Sequence, residues 1–161
     1  LTHWLAGINA YFKYQIKGAS MRLTSFTDYG LRVLMRLAGD PSRAFSTAEL
    51  AREFQVSRAH LAKVVSKLAN GGWVSTRRGG GGGLQLAQPA ASIRLGEVVA
   101  QLETNQALVE CFQASGNTCT LTPTCRLKVR LKAANAAFIS ELNRATLADC
   151  LYYPDGARTR G

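Results

Sequence analysis

The sequence predicts a mainly α-helical protein carrying one small β-hairpin, and three observations support that class. Apolar residues recur at helical three-and-four spacing in several segments that open on capping residues. A glycine run near the middle, "RRGGGGGLQL", is flanked by strand-like residues on both sides. A long periodic stretch, "TCRLKVRLKAANAAFISELNRATLADC", closes the chain. With 161 residues, there is one domain's worth of chain and enough apolar content to build a core.

The first twenty residues, "LTHWLAGINAYFKYQIKGAS", end in small residues as a secretory signal would. They lack a basic start, and His, Asn, Lys and Gln interrupt their apolar positions. We read residues 1–20 as an upstream extension outside the fold, with Met21 as the natural start. No run approaches the roughly 18 apolar residues of a membrane span. The expected location is cytoplasmic, where thiols stay reduced unless a metal holds them.

From Met21 the elements follow in order. Ser25-Phe26-Thr27-Asp28 fits a capping box, and Phe26, Tyr29, Val33 and Leu37 share a stripe on the helix that follows. That helix should stop near Gly39-Asp40-Pro41. Ser46-Thr47-Ala48-Glu49 is a second box, with Phe45 and Leu50 spaced as a hydrophobic staple; this helix ends around Phe54. Ser57 caps a third helix, stapled by Val56 and Leu61, whose buried stripe is Leu61, Val64, Val65 and Leu68 and whose stop is Gly71-Gly72. The second and third helices, joined by so tight a turn, form a helix-turn-helix signature, the latter presenting Arg58, Ala59, Ala62, Lys63, Ser66 and Lys67 outward. "WVSTRRGGGGGLQLAQP" then reads as strand, glycine turn and strand: a hairpin wing with Arg77 and Arg78 at its base. "SIRLGEVVAQLE" is a further amphipathic helix with Leu95, Val98, Val99 and Leu102 on one face. From Thr124 to about Cys150 one long helix is expected, with Leu127, Leu131, Ala134, Phe138, Leu142 and Ala145 in its stripe. A small domain cannot cover such a stripe alone, so a symmetric partner helix is the economical solution. The expected organisation is a winged helix-turn-helix DNA-binding domain over 21–90, a linking helix and cysteine loop over 91–123, a dimerisation helix over 124–151, and a disordered tail over 152–161.

Charge agrees with a DNA-binding reading. The net charge is +10 and the sequence pI about 10.0, which favours a polyanionic partner. Residues 21–88 hold 10 basic and 4 acidic side chains, so +6 of the excess sits in the helix-turn-helix and wing. Ser57, Arg58, His60, Lys63, Lys67, Arg77 and Arg78 are the candidate contacts to duplex DNA. His60 is balanced between reading DNA and packing. Enzymatic signatures are missing: there is no nucleophile–base pair, no phosphate loop followed by Lys-Ser/Thr, and no cofactor fingerprint.

Three of the four cysteines, Cys111, Cys119 and Cys125, fall within the loop stretch "CFQASGNTCTLTPTC". Three is odd for a disulfide framework, and neither His3 nor His60 lies nearby to complete a zinc site. Incidental core thiols and a regulatory disulfide are the bland alternatives. The polar surroundings favour a soft-metal centre, since iron–sulfur clusters accept Cys with one non-Cys ligand. Cys150 reads as an ordinary thiol. Asp28, early in the first helix, is explained on its own by the helix dipole.

The blocks "MRLTSFTDYGLRVL", "VSRAHLAKVVSKLANGGWV", "RGGGGGLQL", "IRLGEVVAQLE", "TPTCRLK" and "LADCL", in that order, resemble the iron–sulfur winged-helix family of transcriptional regulators that includes IscR. The resemblance runs from Met21 to about Leu151, and "TPTCRLK" favours its nitric-oxide-sensing repressors over its regulators of cluster biogenesis. It implies a homodimer with one iron–sulfur cluster per subunit, 4Fe-4S or 2Fe-2S, held by Cys111, Cys119 and Cys125, with Asp28 from the partner subunit as fourth ligand. It implies also that nitric oxide attacks the iron and releases operator DNA, derepressing detoxification genes. One departure is the bare wing tip at Gly80 and Gly81, which leaves more of the wing's grip to Arg77 and Arg78. A zinc or thiol redox protein with an incidental basic surface is the competing reading.

Overall fold

The computed structural model describes residues 22–77, 83–104, 107–113 and 115–152. The expectations for residues 1–20, for Arg78, Gly80 and Gly81 in the wing, and for the tail beyond Tyr152 lie outside the described residues.

Helix α1 (Ser25–Ala38) starts from Thr24, whose hydroxyl accepts from the Thr27 N–H at 3.2 Å. The cap is therefore one residue earlier than the sequence box suggested. The reason lies far away in the chain. The N–H and hydroxyl of Thr24 both donate to Glu103 Oε1, at 2.9 and 2.8 Å, so a remote carboxylate does what a local acid does in a capping box. Partial burial opposes ionisation of Glu103, yet hydrogen bonds from Thr27 and Thr24 outweigh it and hold the carboxyl below its ordinary value.

Helix α2 (Thr47–Glu53) is capped by Ser46, which accepts from the Glu49 N–H at 3.0 Å. The Glu49 side chain pairs with Arg43 instead of closing the box. Phe45 and Leu50 are fully buried, as a staple requires. The Phe45 ring lies between two guanidinium groups, Arg36 at 4.4 Å and Arg43 at 4.6 Å. Arg36 is itself buried and held by Glu53 at 3.0 Å. Between α2 and α3 (Arg58–Asn70) the chain reverses through Gln55, whose φ of 55° is in the left-handed region. Ser57 caps α3 by accepting from the His60 N–H at 3.2 Å, and Leu61, Val64, Val65 and Leu68 are its buried stripe, as expected.

Strands β1 (Val74–Thr76) and β2 (Leu84–Leu86) pair antiparallel, Val74 with Leu86 and Thr76 with Leu84. Phe45 exchanges backbone hydrogen bonds with Leu84 at 3.0 and 2.7 Å, anchoring the wing to the entry of α2. Helix α4 (Leu95–Leu102) buries Val98, Val99 and Leu102 and packs against α1. Gly30 on α1 permits that crossing, because a Cβ there would come 2.5 Å from Leu102 Cδ1.

Helix α5 spans Arg126–Leu142 and is shorter than the predicted Thr124–Cys150 helix. Its C-cap, Asn143, stops it. The Asn143 carbonyl accepts from Arg94 Nη1 at 2.8 Å and its side-chain oxygen accepts from the Glu97 N–H at 3.0 Å, so the end of α5 caps the start of α4. Arg94 has no capping side chain to offer α4 itself. The chain then turns, pairs Thr146 with Arg94, and buries Leu147 in the core before a 3-10 turn at Leu147–Cys150. The core runs from Val33, Leu34 and Leu37 on α1 through Phe45, Leu61, Val64 and Leu68 to Ile93, Val98 and Leu147.

Candidate nucleic-acid interface and cysteine loop

Burying one stripe of α3 leaves the opposite face to solvent. Ser57, Arg58, Ala59, Ala62, Lys63 and Ser66 are exposed, and Lys67 is half-buried. The helix carries no acid, and Arg77 lies exposed at the end of β1. Among the described residues Arg58, Lys63, Lys67 and Arg77 form no ion pair. Unpaired cations on one helix and the adjoining wing strand are the electrostatic form of a phosphate-binding surface.

His60 is placed differently from the other candidates. Its ring turns toward α1 and meets Phe26 and Tyr29 edge-on, with centroid separations of 6.1 and 5.6 Å. Its Nε2 is buried without a hydrogen-bond partner.

The four described cysteines are free and half-buried. Glu110, the residue before Cys111, accepts from the N–H and hydroxyl of Thr118, the residue before Cys119, at 2.6 and 2.7 Å. These two bonds close the loop between the two thiols and hold the Glu110 carboxyl below its usual range. The Asn117 side chain accepts from the Cys119 N–H at 3.1 Å. Cys125 is the N-cap of α5, and its Sγ accepts from the Lys128 N–H at 3.4 Å. Among the described residues no three His, Cys, Asp or Glu side chains converge closely enough to hold an ion within one chain. The donor set nevertheless suits an iron–sulfur cluster, whose ligands can be Cys together with a non-Cys group: Cys111, Cys119 and Cys125 are all unpaired thiols. Asp28 is half-exposed on the first turn of α1 and bound to Arg32 at 2.8 Å.

Sequence reading missed Glu103 and Asn143, because each acts as a cap for a helix far from it in sequence. It missed Arg36 too, since a buried arginine is visible only once its carboxylate and aromatic partners are in place. Leu121, Leu127 and Val129 on the loop and α5 are about two-thirds exposed, at 67%, 63% and 67%, and α5 buries no residue within the chain. No helix among the described residues is long and apolar enough to cross a membrane.

Comparison with known proteins agrees with this architecture. The Rrf2 family model, described as an iron-dependent transcriptional regulator, matches residues 23–152. The HTH-type transcriptional regulator NsrR of Geobacillus kaustophilus is 45% identical over 132 residues, covering 81% of this chain and 90% of that protein. Two solved structures share the fold. CymR, the global cysteine regulator of B. subtilis, has a TM-score of 0.59 at 24% identity, covering 81% of this chain and 95% of its own. IscR of T. potens has a TM-score of 0.61 at 21% identity, covering 81% and 85%. A winged helix-turn-helix with a basic recognition helix, and a family match across nearly all of the described chain, leave no role for enzymatic chemistry. The chain belongs to the Rrf2 family of iron-dependent, DNA-binding transcriptional regulators.

Proposed function

We propose that this regulator is a homodimeric repressor whose iron–sulfur cluster senses nitric oxide. The observation that carries the reading is the cysteine loop: three free thiols on one segment, tied by Glu110 and Thr118 and ending at the N-cap of α5. The 45% identity to a relative named NsrR supports the choice of signal. Cys111, Cys119 and Cys125 would hold the cluster, 4Fe-4S or 2Fe-2S, one per subunit, with Asp28 contributed by the second copy. When bound, the cluster supplies iron that reacts with nitric oxide and gives up protein ligands. The exposed stripe of α5 brings two copies together, Leu127 and Val129 gaining the cover they lack in one chain. Ser57 and Arg58, with Lys63, Lys67, Arg77 and Arg78, grip the operator in the cytoplasm, and freeing the cysteine loop loosens that grip. His60 packs its ring against Phe26 and Tyr29 of α1, which supports a role in holding α3.

The test is anaerobic purification followed by operator titration. Brown protein containing iron and acid-labile sulfide is expected, lost in Cys111→Ser, Cys119→Ser and Cys125→Ser and kept in Cys150→Ala. Nitric oxide should release the operator from the wild type. Colourless protein with stoichiometric zinc, or loss of colour in Cys150→Ala, would overturn the assignment.

A further inference from the structure

Nε2 of His60 is the buried side-chain polar atom without a hydrogen-bond partner among the described residues. A buried unpaired nitrogen is costly, and a leucine would fill the space without it. The ring instead touches two aromatic edges on α1, at interplanar angles of 76° to Phe26 and 75° to Tyr29. Those two residues flank Asp28 in the first turn of α1.

The same turn is capped from α4. Glu103, the C-cap of α4, takes with its carboxylate the N–H and hydroxyl of Thr24, the N-cap of α1. On the other side, the His60 N–H donates to Ser57, the cap of α3, beside Arg58. A chain of short contacts thus runs from Glu103 and Thr24 through the first turns of α1, where Asp28 lies, to His60 and the first turn of α3. Edge-to-face ring contacts are directional, so a shift of α1 repositions the imidazole and, through its backbone, the entry of α3.

We infer that His60 is a positioning residue that carries the state of the start of α1, where Asp28 lies, to the recognition helix through Phe26 and Tyr29. This rests on the proposal that Asp28 completes the sensing cluster. Such coupling appears as a ratio of operator affinities between cluster-bearing and cluster-free protein, typically about 5- to 150-fold in allosteric systems. It is established by changing the joint while leaving both ends intact.

The experiment measures that ratio by anisotropy for wild type, His60→Leu, Tyr29→Leu and Tyr29→Phe, with iron and sulfide assayed in each. The two leucine variants should keep wild-type cluster content while their ratio falls about fivefold or more toward one. Tyr29→Phe keeps the ring edge and should keep the wild-type ratio. A wild-type ratio retained in both leucine variants would overturn the inference. So would equal weakening of both forms in His60→Leu, which would make His60 a direct DNA contact. A wild-type ratio of one would overturn the cluster-sensing reading as well, so the two failures are distinguishable.

Discussion

Removing the Lys63 ammonium tests the DNA face most directly, because its effect follows from counting charges. The α3 face and wing strand present four unpaired cations among the described residues: Arg58, Lys63, Lys67 and Arg77. Each phosphate neutralised adds about 0.9 to the slope of log affinity against log salt on duplex DNA. Four contacts set a slope of about 3.6 per head, and two heads of a dimer about 7. In the proposed dimer, Lys63→Ala should lower the slope by about 1.8, since both heads lose one contact. Between roughly 50 and 200 mM salt one contact is worth about 3.5-fold, so the variant's affinity should change about 12-fold less over that range. Lys63 is exposed on α3 and belongs to no ion pair among the described residues, so folding should be unaffected. The assay is fluorescence anisotropy on operator and random duplexes of equal length at several salt concentrations. Weakening should be similar on both, as for any phosphate contact. Arg144→Ala is the control: Arg144 is exposed beyond α5 and paired with Glu141, so the slope should not move. An unchanged slope in Lys63→Ala would refute the assignment of this α3 face to DNA.

Three further outcomes concern the scaffold. Gly96→Ala should destabilise by about 1–3 kcal/mol in urea unfolding, because its Cβ would overlap the Ile139 backbone carbonyl and the Asn143 side chain that caps α4. Gly30→Ala, whose Cβ meets only the flexible end of Leu102 among near contacts, should cost less, offset by about 1 kcal/mol of helix propensity; equal costs would contradict this account. Arg36→Ala should destabilise by about 2–3 kcal/mol, leaving Glu53 unpaired and Phe45 without one of its two guanidinium neighbours, and a midpoint within error of wild type would contradict it. Glu103 has its folded value lowered, so its stabilisation is complete above the unfolded value near 4.5 and is lost as pH falls through the folded one. Glu103→Gln should therefore flatten the loss of stability in acid, and identical pH profiles would show that the carboxylate contributes nothing to the cap.

The sequence by itself determined the elements that are stabilised locally. Ser46 and Ser57 cap their helices with N–H groups three residues on, and the buried stripe of α3 is the one its spacing announces. The wing strands follow from their flanking residues, and the odd number of clustered cysteines singled out the loop. What only the tertiary structure decided are the joints. Thr24 displaced Ser25 as the first cap because Glu103, 79 residues away, satisfies its donors. Helix α5 ends at Leu142 because Asn143 serves α4 as well as α5, and because Leu147 gains burial by turning back to the core. His60 faces α1 because two aromatic edges await it there. Helical periodicity reports which face of an element is apolar. It carries no information about which distant donor or ring an exposed polar group will meet, and it is those meetings that tie α4 and α1 to α3.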